Sequence, residues 1–297
     1  MDKTISIVGH TALDHLFDVT NFPQPNASAP INDYNIYYGG GAANIAAGIA
    51  RLGGSSQLIS PVGGDFKGSE YCQHLESLGV DTSLMFRLEH EKTASAFIYT
   101  DVDHNQITYF YWGASKHFPE LEPPHLDFVH LATADPVFNS RAAKHADFVS
   151  FDPGQDLVVY SKECLETILS HTDILFTNRH EIERLSQMTG CTREELEEEI
   201  GLVVVTLDKD GSEIYRDGER IFIPAIQVEA SDPTGAGDAH RAGFLLAYTR
   251  GYPLEICGRV GSTTASFVVE KVGCQTNLPT WEHMQQRFNK YYKDFEL

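Results

Sequence analysis

Apolar and polar residues alternate in blocks that suit strands and helices in turn. Short continuous apolar runs are typical of strands buried on both faces, and longer segments with apolar residues three and four apart are typical of helices. The predicted strands are 5–8, 57–60, 128–131, 148–151, 174–176 and 202–206, and the predicted helices are 42–52, 68–78, 161–169, 179–188 and 239–250. This order predicts a doubly wound α/β fold, with a mostly parallel sheet, helices on both faces and ligands at the carboxyl ends of the strands.

Two stretches interrupt this alternation. Segment 16–38 is rich in Pro, Asn and aromatic residues, and segment 93–112 alternates like a hairpin that turns at 103–105. Aromatic residues fall on both faces of that hairpin, at Phe97, Tyr99, Tyr109 and Tyr111. The segments are either ordinary edge hairpins or a small sheet that covers something on each side. Another hairpin is predicted at 214–222, at the edge of the main sheet, because an Asp-Gly turn divides two apolar runs.

Length and charge restrict the classes of protein that remain. A chain of 297 residues with 42% hydrophobic residues can bury one large core, alone or with a small appendage. The formal net charge of −20 and the pI of about 4.9 argue against nucleic-acid and anionic-membrane partners. The acidity reflects either a saline cytoplasm or a solubilising surface. A nucleotide can still be bound locally, through backbone amides and a metal ion.

Cysteine usage and hydropathy indicate the compartment. The five cysteines are far apart, odd in number and without a CxxC pair, which is typical of reduced thiols. No run of 18 apolar residues occurs, and the first apolar run is too short and wrongly flanked for a signal peptide. We therefore expect a cytoplasmic protein with no membrane partner.

The segment from Pro233 to Asp238 carries the strongest chemical signal. Pro233 cannot lie inside a helix, and an apolar-rich helix is predicted to start near Asp238. Unpaired amides of Gly235, Ala236 and Gly237 at such a start stabilise an anion, aided by the helix dipole. A carboxylate at Asp238 can orient a hydroxyl and take its proton while the amides hold the charge of a transferring phosphate. The segment therefore predicts phosphoryl transfer.

A second glycine-rich helix start lies at 39–46, and no Walker-type GxxxxGK[ST] sequence occurs. Together the two segments resemble the signatures of the ribokinase (PfkB) family of sugar and nucleoside kinases. Both signatures stand in the expected order, so the resemblance covers nearly the whole chain. It implies a ribokinase-like fold with a small β lid, ATP as co-substrate and Mg²⁺ as cofactor.

The flanks of these segments point to one branch of the family. Segments 9–14, 105–108, 112–114, 150–157 and 273–281 resemble the archaeal nucleoside-kinase branch. Gly41 stands where ribokinases often carry lysine, and no basic cluster offers itself for a sugar phosphate. The resemblance implies transfer of the γ-phosphoryl group to the 5′-hydroxyl of ribonucleosides, with tolerance for inosine, guanosine, cytidine and adenosine.

The resemblance also assigns acceptor contacts, at Asp14, Gly40, Asn44 and Gln155. A carboxylate at Asp14 can accept hydrogen bonds from two vicinal hydroxyls, which suits a ribose. From composition alone, a turn or capping role for Asp14 is the safer interpretation, and the resemblance around it favours the sugar contact. Gly40 allows close backbone approach, and the Asn44 amide offers both a donor and an acceptor.

On the donor side, the resemblance places Asn178 and Glu181 near Mg²⁺ and the phosphates, mostly through water. The same two residues also fit a helix-capping pair. The remaining positions that the resemblance assigns are Thr206, Gly211, Ala265 and Gly273 on the nucleotide side, and Asp232 and Thr234 in a loop for a monovalent cation such as K⁺. Asp208 stands where many relatives have glycine, which departs from the family's donor loop.

The resemblance divides the chain into two units. Residues 1–12, 39–92 and 115–297 form a large nucleotide-binding and catalytic unit, and residues 13–38 and 93–114 form the lid, which pairs with the lid of a second copy in a homodimer. Two other functions remain open: a sugar kinase of the same family, and a nucleotide or nucleoside sensor without catalysis. Retention of Asp238 and the adjacent glycines disfavours the sensor.

Overall fold

The computed structural model describes residues 3–293, 295 and 297. Its main strands are β1 Ile5–Val8, β4 Ser56–Ile59, β9 Val129–Leu131, β10 Val149–Phe151, β11 Ile174–Asn178, β12 Leu202–Thr206, β13 Gly211–Arg216 and β14 Glu219–Pro224. They form one sheet in the order β14-β13-β12-β11-β10-β9-β1-β4. Neighbouring strands from β4 to β12 are parallel, and the pairs β12–β13 and β13–β14 are antiparallel, so β13 alone runs in the opposite direction. The prediction of a mostly parallel, doubly wound sheet is confirmed.

Helices cover both faces of this sheet. They are α1 Gly41–Arg51, α2 Glu70–Leu78, α3 Pro136–Lys144, α4 Lys162–Leu169, α5 Arg179–Thr189, α6 Arg193–Ile200, α7 Ala236–Thr249, α8 Leu254–Val268 and α9 Trp281–Tyr291. One apolar core contains buried residues of α1, α7 and α8, and a second contains those of α3, α4 and α5 on the other face. Burial on both faces explains why the parallel strands are continuous apolar runs.

The contact between α1 and α7 positions the candidate site. A Cβ atom on Gly48 of α1 would lie 2.8 Å from Cβ of Ala242 on α7, so only glycine allows the two helices to lie this close. Their N-termini consequently lie side by side at the carboxyl end of β1. Helix α7 begins at Ala236, two residues before the predicted start at Asp238.

The hairpin predicted at the sheet edge is confirmed. Strands β13 and β14 are antiparallel and lie at one end of the main sheet. Their two-residue turn contains Asp217 and Gly218, with φ angles of 54° and 77°. Positive φ at both positions is the geometry that favours an Asp-Gly pair.

A separate four-stranded sheet is formed by β2 Ala12–Val19, β3 Ile31–Gly39, β7 Ala94–Thr100 and β8 Gln106–Tyr111, in the order β3-β2-β7-β8. A further two-stranded sheet pairs β5 Pro61–Gly63 with β6 Phe86–Leu88. The hairpin predicted at 93–112 is present as β7 and β8. Several large apolar side chains of the four-stranded sheet are exposed, including Ile36, Tyr109 and Tyr111. No helix in the described part of the chain combines the length and apolarity needed to span a bilayer.

Candidate active site

Two glycine-capped helix starts meet at the candidate site. The N-cap residues Gly40 of α1 and Gly235 of α7 have φ angles of 90° and 80°, and neither has a side chain that could cap its helix. Asn44 Nδ2, in the first turn of α1, donates a hydrogen bond of 2.9 Å to Asp238 Oδ2, in the first turn of α7. The structure therefore brings together two residues that are 194 positions apart in the sequence.

The Asn44 amide is held in one orientation by a buried chain of hydrogen bonds. Gln275 Nε2 donates to Asn44 Oδ1 and to Tyr71 Oη, each at 2.9 Å. Tyr71 Oη in turn donates to the carbonyl of Gly39 at 2.7 Å. Because Asn44 Oδ1 is already an acceptor, its NH₂ group faces Asp238. Sequence reasoning assigned no role to Gln275 or Tyr71, although Gln275 lies in a segment that carried the family resemblance.

Asp14 lies within β2, opposite Tyr37 of β3 and Ala96 of β7, so it is neither a turn nor a cap residue. Its carboxylate packs against the backbone where β3 ends. A Cβ atom on Gly39 would lie 2.0 Å from Asp14 Oδ2, which explains the glycine. Likewise, a Cβ on Gly40 would lie 2.4 Å from the carbonyl oxygen of His10.

Burial weakens the acidity of both carboxyl groups. It raises the pKa of Asp14 to about 7, with further contributions from the negative charges of Asp238 and Asp232. Burial also raises the pKa of Asp238 to about 6, although the positive charge of Arg241 and the hydrogen bond from Asn44 act in the opposite direction. With a pKa of about 6, Asp238 is a better proton acceptor than an ordinary aspartate and is still mostly ionised at physiological pH.

Arg241 links Asp238 to a second buried carboxylate, and sequence reasoning missed this link. Its Nη2 lies 2.7 Å from Asp152 Oδ1, and its Nη1 lies 3.7 Å from Asp238 Oδ1. The side chains of Arg241 and Asp152 are only 10% and 4% exposed. The sequence did contain a signal for this ion pair, because a charged residue stands three positions after Asp238 on the apolar face of α7. The guanidinium stabilises the ionised form of both carboxylates.

Three amides at the start of α7 were predicted to be unpaired, and in the structure one of them already donates a hydrogen bond. The amide of Ala236 donates to the carbonyl of Pro233 at 3.2 Å, because residues 233–236 form a turn. Among the described residues, the amides of Gly235 and Gly237 have no hydrogen-bond acceptor. Gly235 and Gly237 therefore keep the predicted donors, whereas the Ala236 donor is already in use.

Asn178 and Glu181 form the capping pair at the start of α5. Asn178 Oδ1 accepts from the amides of His180 and Glu181, and Glu181 Oε2 accepts from the amide of Asn178 at 2.8 Å. Burial, together with the charge of Asp152, raises the pKa of Glu181 to about 7. A bound cation would relieve this excess of negative charge, and carboxylate oxygen is a preferred ligand of Mg²⁺. The residues present therefore fit a magnesium ion, with Glu181 better placed to hold it than Asn178.

The loop predicted for a monovalent cation is closed by its own hydrogen bonds. Asp232 Oδ1 accepts from the amide of Thr234 at 2.9 Å, and Asp232 Oδ2 accepts from the amide of Gly273 at 3.4 Å. The amides of Ser231 and Asp232 both donate to the carbonyl of Val269. These bonds bring the end of α8 and Gly273 against the loop that precedes α7.

The other nucleotide-side residues lie at element ends. Thr206 ends β12, and its Oγ1 donates to the carbonyl of Thr177 at 3.3 Å. Gly211 begins β13, where a Cβ would lie 2.0 Å from the carbonyl oxygen of Ile223. Ala265 is half-buried on α8. No hydrogen bond of the described residues joins these positions directly, so their common role stays a prediction.

Gln155 is exposed on a short 3₁₀ helix, Gly154–Val159, and makes no hydrogen bond to the described residues around Asp14 and Asn44. Its neighbour Asp152 is the residue of that segment that contacts the site, through Arg241. A direct role for Gln155 stays a prediction.

The doubly wound sheet, and the paired helix starts at its carboxyl edge, define an enzyme of the phosphotransferase class. Residues 2–281 match the family model described as "pfkB family carbohydrate kinase". The chain is 51% identical over 297 residues to the nucleoside kinase of Methanocaldococcus jannaschii, covering 98% of each chain. The protein therefore belongs to the pfkB family of carbohydrate kinases.

Solved structures agree with this assignment. The structure of the Methanocaldococcus jannaschii nucleoside kinase, described as an archaeal member of the ribokinase family, superimposes with a TM-score of 0.93 at 50% identity, covering 98% of this chain and 99% of that one. The nucleoside kinase of Burkholderia thailandensis in complex with inosine has a TM-score of 0.87 at 25% identity, covering 99% of this chain and 100% of that one. The ribokinase-like fold implied by the sequence is confirmed.

Proposed function

We propose that this protein is a nucleoside kinase that transfers the γ-phosphoryl group of ATP to the 5′-hydroxyl of ribonucleosides. The observation that carries the proposal is the pair of glycine-capped helix starts, with Asn44 bonded to Asp238 between them. The similarity to nucleoside kinases over nearly the full length supports the choice of acceptor. Inosine, guanosine, cytidine and adenosine are the acceptors that we expect.

In the proposed reaction, Asp238 is the general base. Its carboxylate takes the proton of the acceptor hydroxyl as that oxygen forms a bond to the γ-phosphorus and the bond from phosphorus to the ADP oxygen breaks. The free amides of Gly235 and Gly237 support the negative charge on the transferring group. Arg241 holds Asp238 in its ionised form, since a positive charge nearby lowers the pKa of a carboxyl group.

The acceptor's sugar lies, in this proposal, between Asp14, Gly40 and Asn44. The Asp14 carboxylate accepts hydrogen bonds from the vicinal hydroxyls. Gly40 lets the backbone at the start of α1 pack against His10, where a Cβ would lie 2.4 Å from the carbonyl oxygen. Asn44 aligns the reacting hydroxyl through its contact with Asp238. None of these three contacts involves the nucleobase of the acceptor. A kinase that acts on a free sugar would therefore use the same three residues.

Glu181, with Asn178, would hold Mg²⁺, partly through water. The ion supplies neutralisation of the negative charge on the donor phosphates. The nucleotide would lie toward Thr206, Gly211, Ala265 and Gly273. The loop of Asp232 and Thr234 is a candidate K⁺ site through its carbonyl groups, since both oxygens of the Asp232 carboxylate already accept hydrogen bonds.

We also propose that the four-stranded sheet is the lid of this kinase, formed by residues 13–38 and 93–114. The exposed apolar side chains Ile36, Tyr109 and Tyr111 support burial of this sheet against a second copy in a homodimer. Equilibrium sedimentation tests the dimer. A monomer at micromolar concentration would overturn it.

The decisive experiment is ADP release from ATP and Mg²⁺ with separate acceptors: four ribonucleosides, a deoxyribonucleoside, ribose, fructose and fructose phosphate. Preference for ribonucleosides supports the proposal, and turnover of free sugars alone would make the protein a sugar kinase. Binding without ADP release would favour a sensor. Replacing K⁺ with Na⁺ and omitting Mg²⁺ in the same assay tests the two cations.

A further inference from the structure

Four hydrogen bonds connect the carbonyl of Gly39 with the candidate base. Tyr71 Oη donates to that carbonyl at 2.7 Å, and Gln275 Nε2 donates to Tyr71 Oη at 2.9 Å. Gln275 Nε2 also donates to Asn44 Oδ1 at 2.9 Å, and Asn44 Nδ2 donates to Asp238 Oδ2 at 2.9 Å. We call these five residues the polar chain. It joins the end of β3, α2, the segment after α8, and the first turns of α1 and α7.

The three middle residues of the polar chain are isolated from solvent. Tyr71, Asn44 and Gln275 are 2%, 5% and 8% exposed. The Tyr71 ring is stacked on the ring of Tyr38, with centroids 4.4 Å apart, which fixes the position of its hydroxyl oxygen. Burial raises the pKa of Tyr71 well above its ordinary value, so the hydroxyl keeps its proton. Because these atoms are shielded from water, the direction of each hydrogen bond depends on the neighbouring bond.

The direction of the polar chain is set at the Gly39 carbonyl, which can only accept a hydrogen bond. Tyr71 must therefore donate to it, and the Tyr71 oxygen is left to accept from Gln275. The NH₂ group of Gln275 consequently also meets Asn44. The Asn44 oxygen must face this NH₂ group, and the NH₂ group of Asn44 must face Asp238.

Reversing the two side-chain amides of the polar chain would favour the protonated form of Asp238. The Asn44 oxygen would then face the Asp238 carboxyl group, and only a protonated carboxyl group could bond to it. The Tyr71 hydroxyl would turn to Gln275 Oε1, and the buried Gly39 carbonyl would lose its donor. The observed direction therefore favours the ionised form of Asp238.

We propose that Tyr71 and Gln275 are positioning residues for the general base, because they hold Asn44 in the one direction in which it can donate to Asp238. The inference rests on the proposed nucleoside kinase function, in which Asp238 takes the proton of the acceptor hydroxyl. Tyr71 and Gln275 need not touch the acceptor or ATP. They act through Asn44, which keeps Asp238 in the form that accepts a proton.

Several other charged or titratable groups lie near this end of α7. They are Arg241 on α7, Asp152 after β10, Asp14 on β2, Asp232 before α7 and Cys274 after α8. His74 Nε2 lies 3.1 Å from Gln275 Oε1 and donates to that oxygen. Changes at Tyr71 or Gln275 leave these groups in place. Because the pKa of Asp14 is about 7, in the same range, the test must observe Asp238 by its own signal.

The charge state of Asp238 can be measured without catalysis, by carbon NMR of protein labelled at the carboxyl carbons of aspartate. The signal that is absent in Asp238→Asn reports the pKa of Asp238. Tyr71→Phe removes only the hydroxyl and should raise this pKa by roughly half a unit to one unit, the equivalent of one hydrogen bond. Gln275→Met should raise it at least as much, since it removes the donor to Asn44. An unchanged pKa in both variants overturns the proposal.

The same shift should appear in the reaction. We expect the acid limb of kcat/KM for inosine to move to higher pH in both variants, by the amount by which the pKa rises. The double variant should shift no further than Gln275→Met alone, because one break already interrupts the polar chain. Additive shifts of Tyr71→Phe and Gln275→Met would indicate two independent effects and would overturn it.

The two measurements separate this inference from the proposed function. A raised pKa of Asp238 in variants of a protein that phosphorylates no nucleoside would uphold the polar chain and overturn the proposed function. Nucleoside turnover with an unshifted pKa in both variants would overturn the polar chain alone.

Tyr292→Phe is the matched control, since Tyr292 is also buried and its hydroxyl donates to a backbone carbonyl, that of Pro224, at 3.1 Å. This variant should lose stability in denaturant unfolding about as Tyr71→Phe does, and it should leave the pKa of Asp238 and the acid limb in place. If Tyr71→Phe gives the same pattern as this control, Tyr71 has only a structural role and the proposal is overturned.

Discussion

The starts of α1 and α7 differ from most other helix starts in the described chain. Helices α2, α3, α4, α5, α6 and α9 begin with a Ser, Thr, Asn or Asp whose side chain caps its own amides. By contrast, α1 and α7 begin with glycine in a left-handed conformation, without a side-chain cap. Helix α8, which follows Pro253, also lacks a cap. The six capped helices satisfy first-turn amides with their own cap side chains, whereas α1 and α7 have no such cap.

The two glycine-capped starts also differ from each other. The start of α1 is closed by the chain, because the amide of Ala43 donates to the carbonyl of His10 and Asn44 is buried. The start of α7 is more open, with a carboxylate in its first turn and the side chain of Asp238 20% exposed. This difference agrees with the proposal, in which α1 provides a fixed support and α7 provides the reacting carboxylate.

Removing the Asp238 carboxylate should have the largest effect on turnover. Asp238→Asn keeps the size of the side chain but abolishes its ability to accept a proton, so turnover should fall roughly 100-fold or more. ADP release measures this. Asp103→Asn, in an exposed turn, is the control and should match the wild type. An unchanged kcat in Asp238→Asn would remove the general base from the proposal.

Arg241→Met should destabilise the protein and change its pH profile. Breaking a buried ion pair leaves Asp152 without compensation and costs about 3–5 kcal/mol, measured by denaturant unfolding. Loss of the positive charge raises the pKa of Asp238 further, so the acid limb of kcat/KM, expected near pH 6 in the wild type, moves to higher pH.

Arg141→Met tests whether this effect is specific to the buried pair. Arg141 pairs with Glu122, whose side chain is 75% exposed, so the change should cost no more than about 1 kcal/mol. An acid limb that stays in place in Arg241→Met would show that the guanidinium does not control Asp238.

Alanine at the two cap positions compares them directly. Gly40→Ala, Gly235→Ala and Gly251→Ala all place a side chain at positive φ, which costs about 1–2 kcal/mol. Around Gly251 a Cβ would meet nothing within 4 Å, so this variant measures the conformational cost alone. At Gly235 it would lie 2.8 Å from Cβ of Cys274, and at Gly40 it would lie 2.4 Å from a backbone oxygen. We expect the free energy of unfolding to fall least for Gly251 and most for Gly40, and equal losses would contradict the fixed role of α1.

Of the four changes, Asp14→Asn should have the smallest effect. We expect the difference in melting temperature between this variant and the wild type to change with pH. Because the folded protein raises the pKa of Asp14 from 3.8 to about 7, the contribution of this group is favourable at low pH and is lost as pH rises through about 7. Asparagine does not titrate, so the melting temperature of the variant relative to the wild type should increase between about pH 5 and pH 8. A constant difference would contradict the raised pKa.

The sequence predicted the parts of this protein that local pattern controls. Apolar runs identified the parallel strands, and the glycine-rich segments identified both helix starts at the site. Helix α3 was missed because it is short and rich in polar residues, although Asp135 and Pro136 are a recognisable N-cap and first residue. Helix α8 was missed because small residues such as Gly258 and Gly261 interrupt it. A Cβ at either would lie 2.8 Å from its neighbour, so close packing outweighs their poor helix propensity.

Contacts between distant segments could not be predicted from pattern. Arg241 and Asp152 are 89 positions apart, and Gln275 reaches Asn44 across 231 positions. Only the order of the strands and the close contact of α1 with α7 bring these side chains together. The family resemblance assigned some positions directly, as for Asp14 and Asn44, and their roles stay predictions. It gave no information on Arg241, whose role depends on the charges around it.

The placement of Asp14 on the four-stranded sheet has a kinetic consequence. Asn44 and Asp238 lie on two helices packed on the main sheet, so their separation is fixed, whereas Asp14 belongs to the other sheet. In the proposed reaction all three residues hold the sugar, so the sugar links the two sheets and a water molecule does not. We therefore expect the protein to consume ATP slowly when no acceptor is present, because the solvent lacks the vicinal hydroxyls that draw the sheets together.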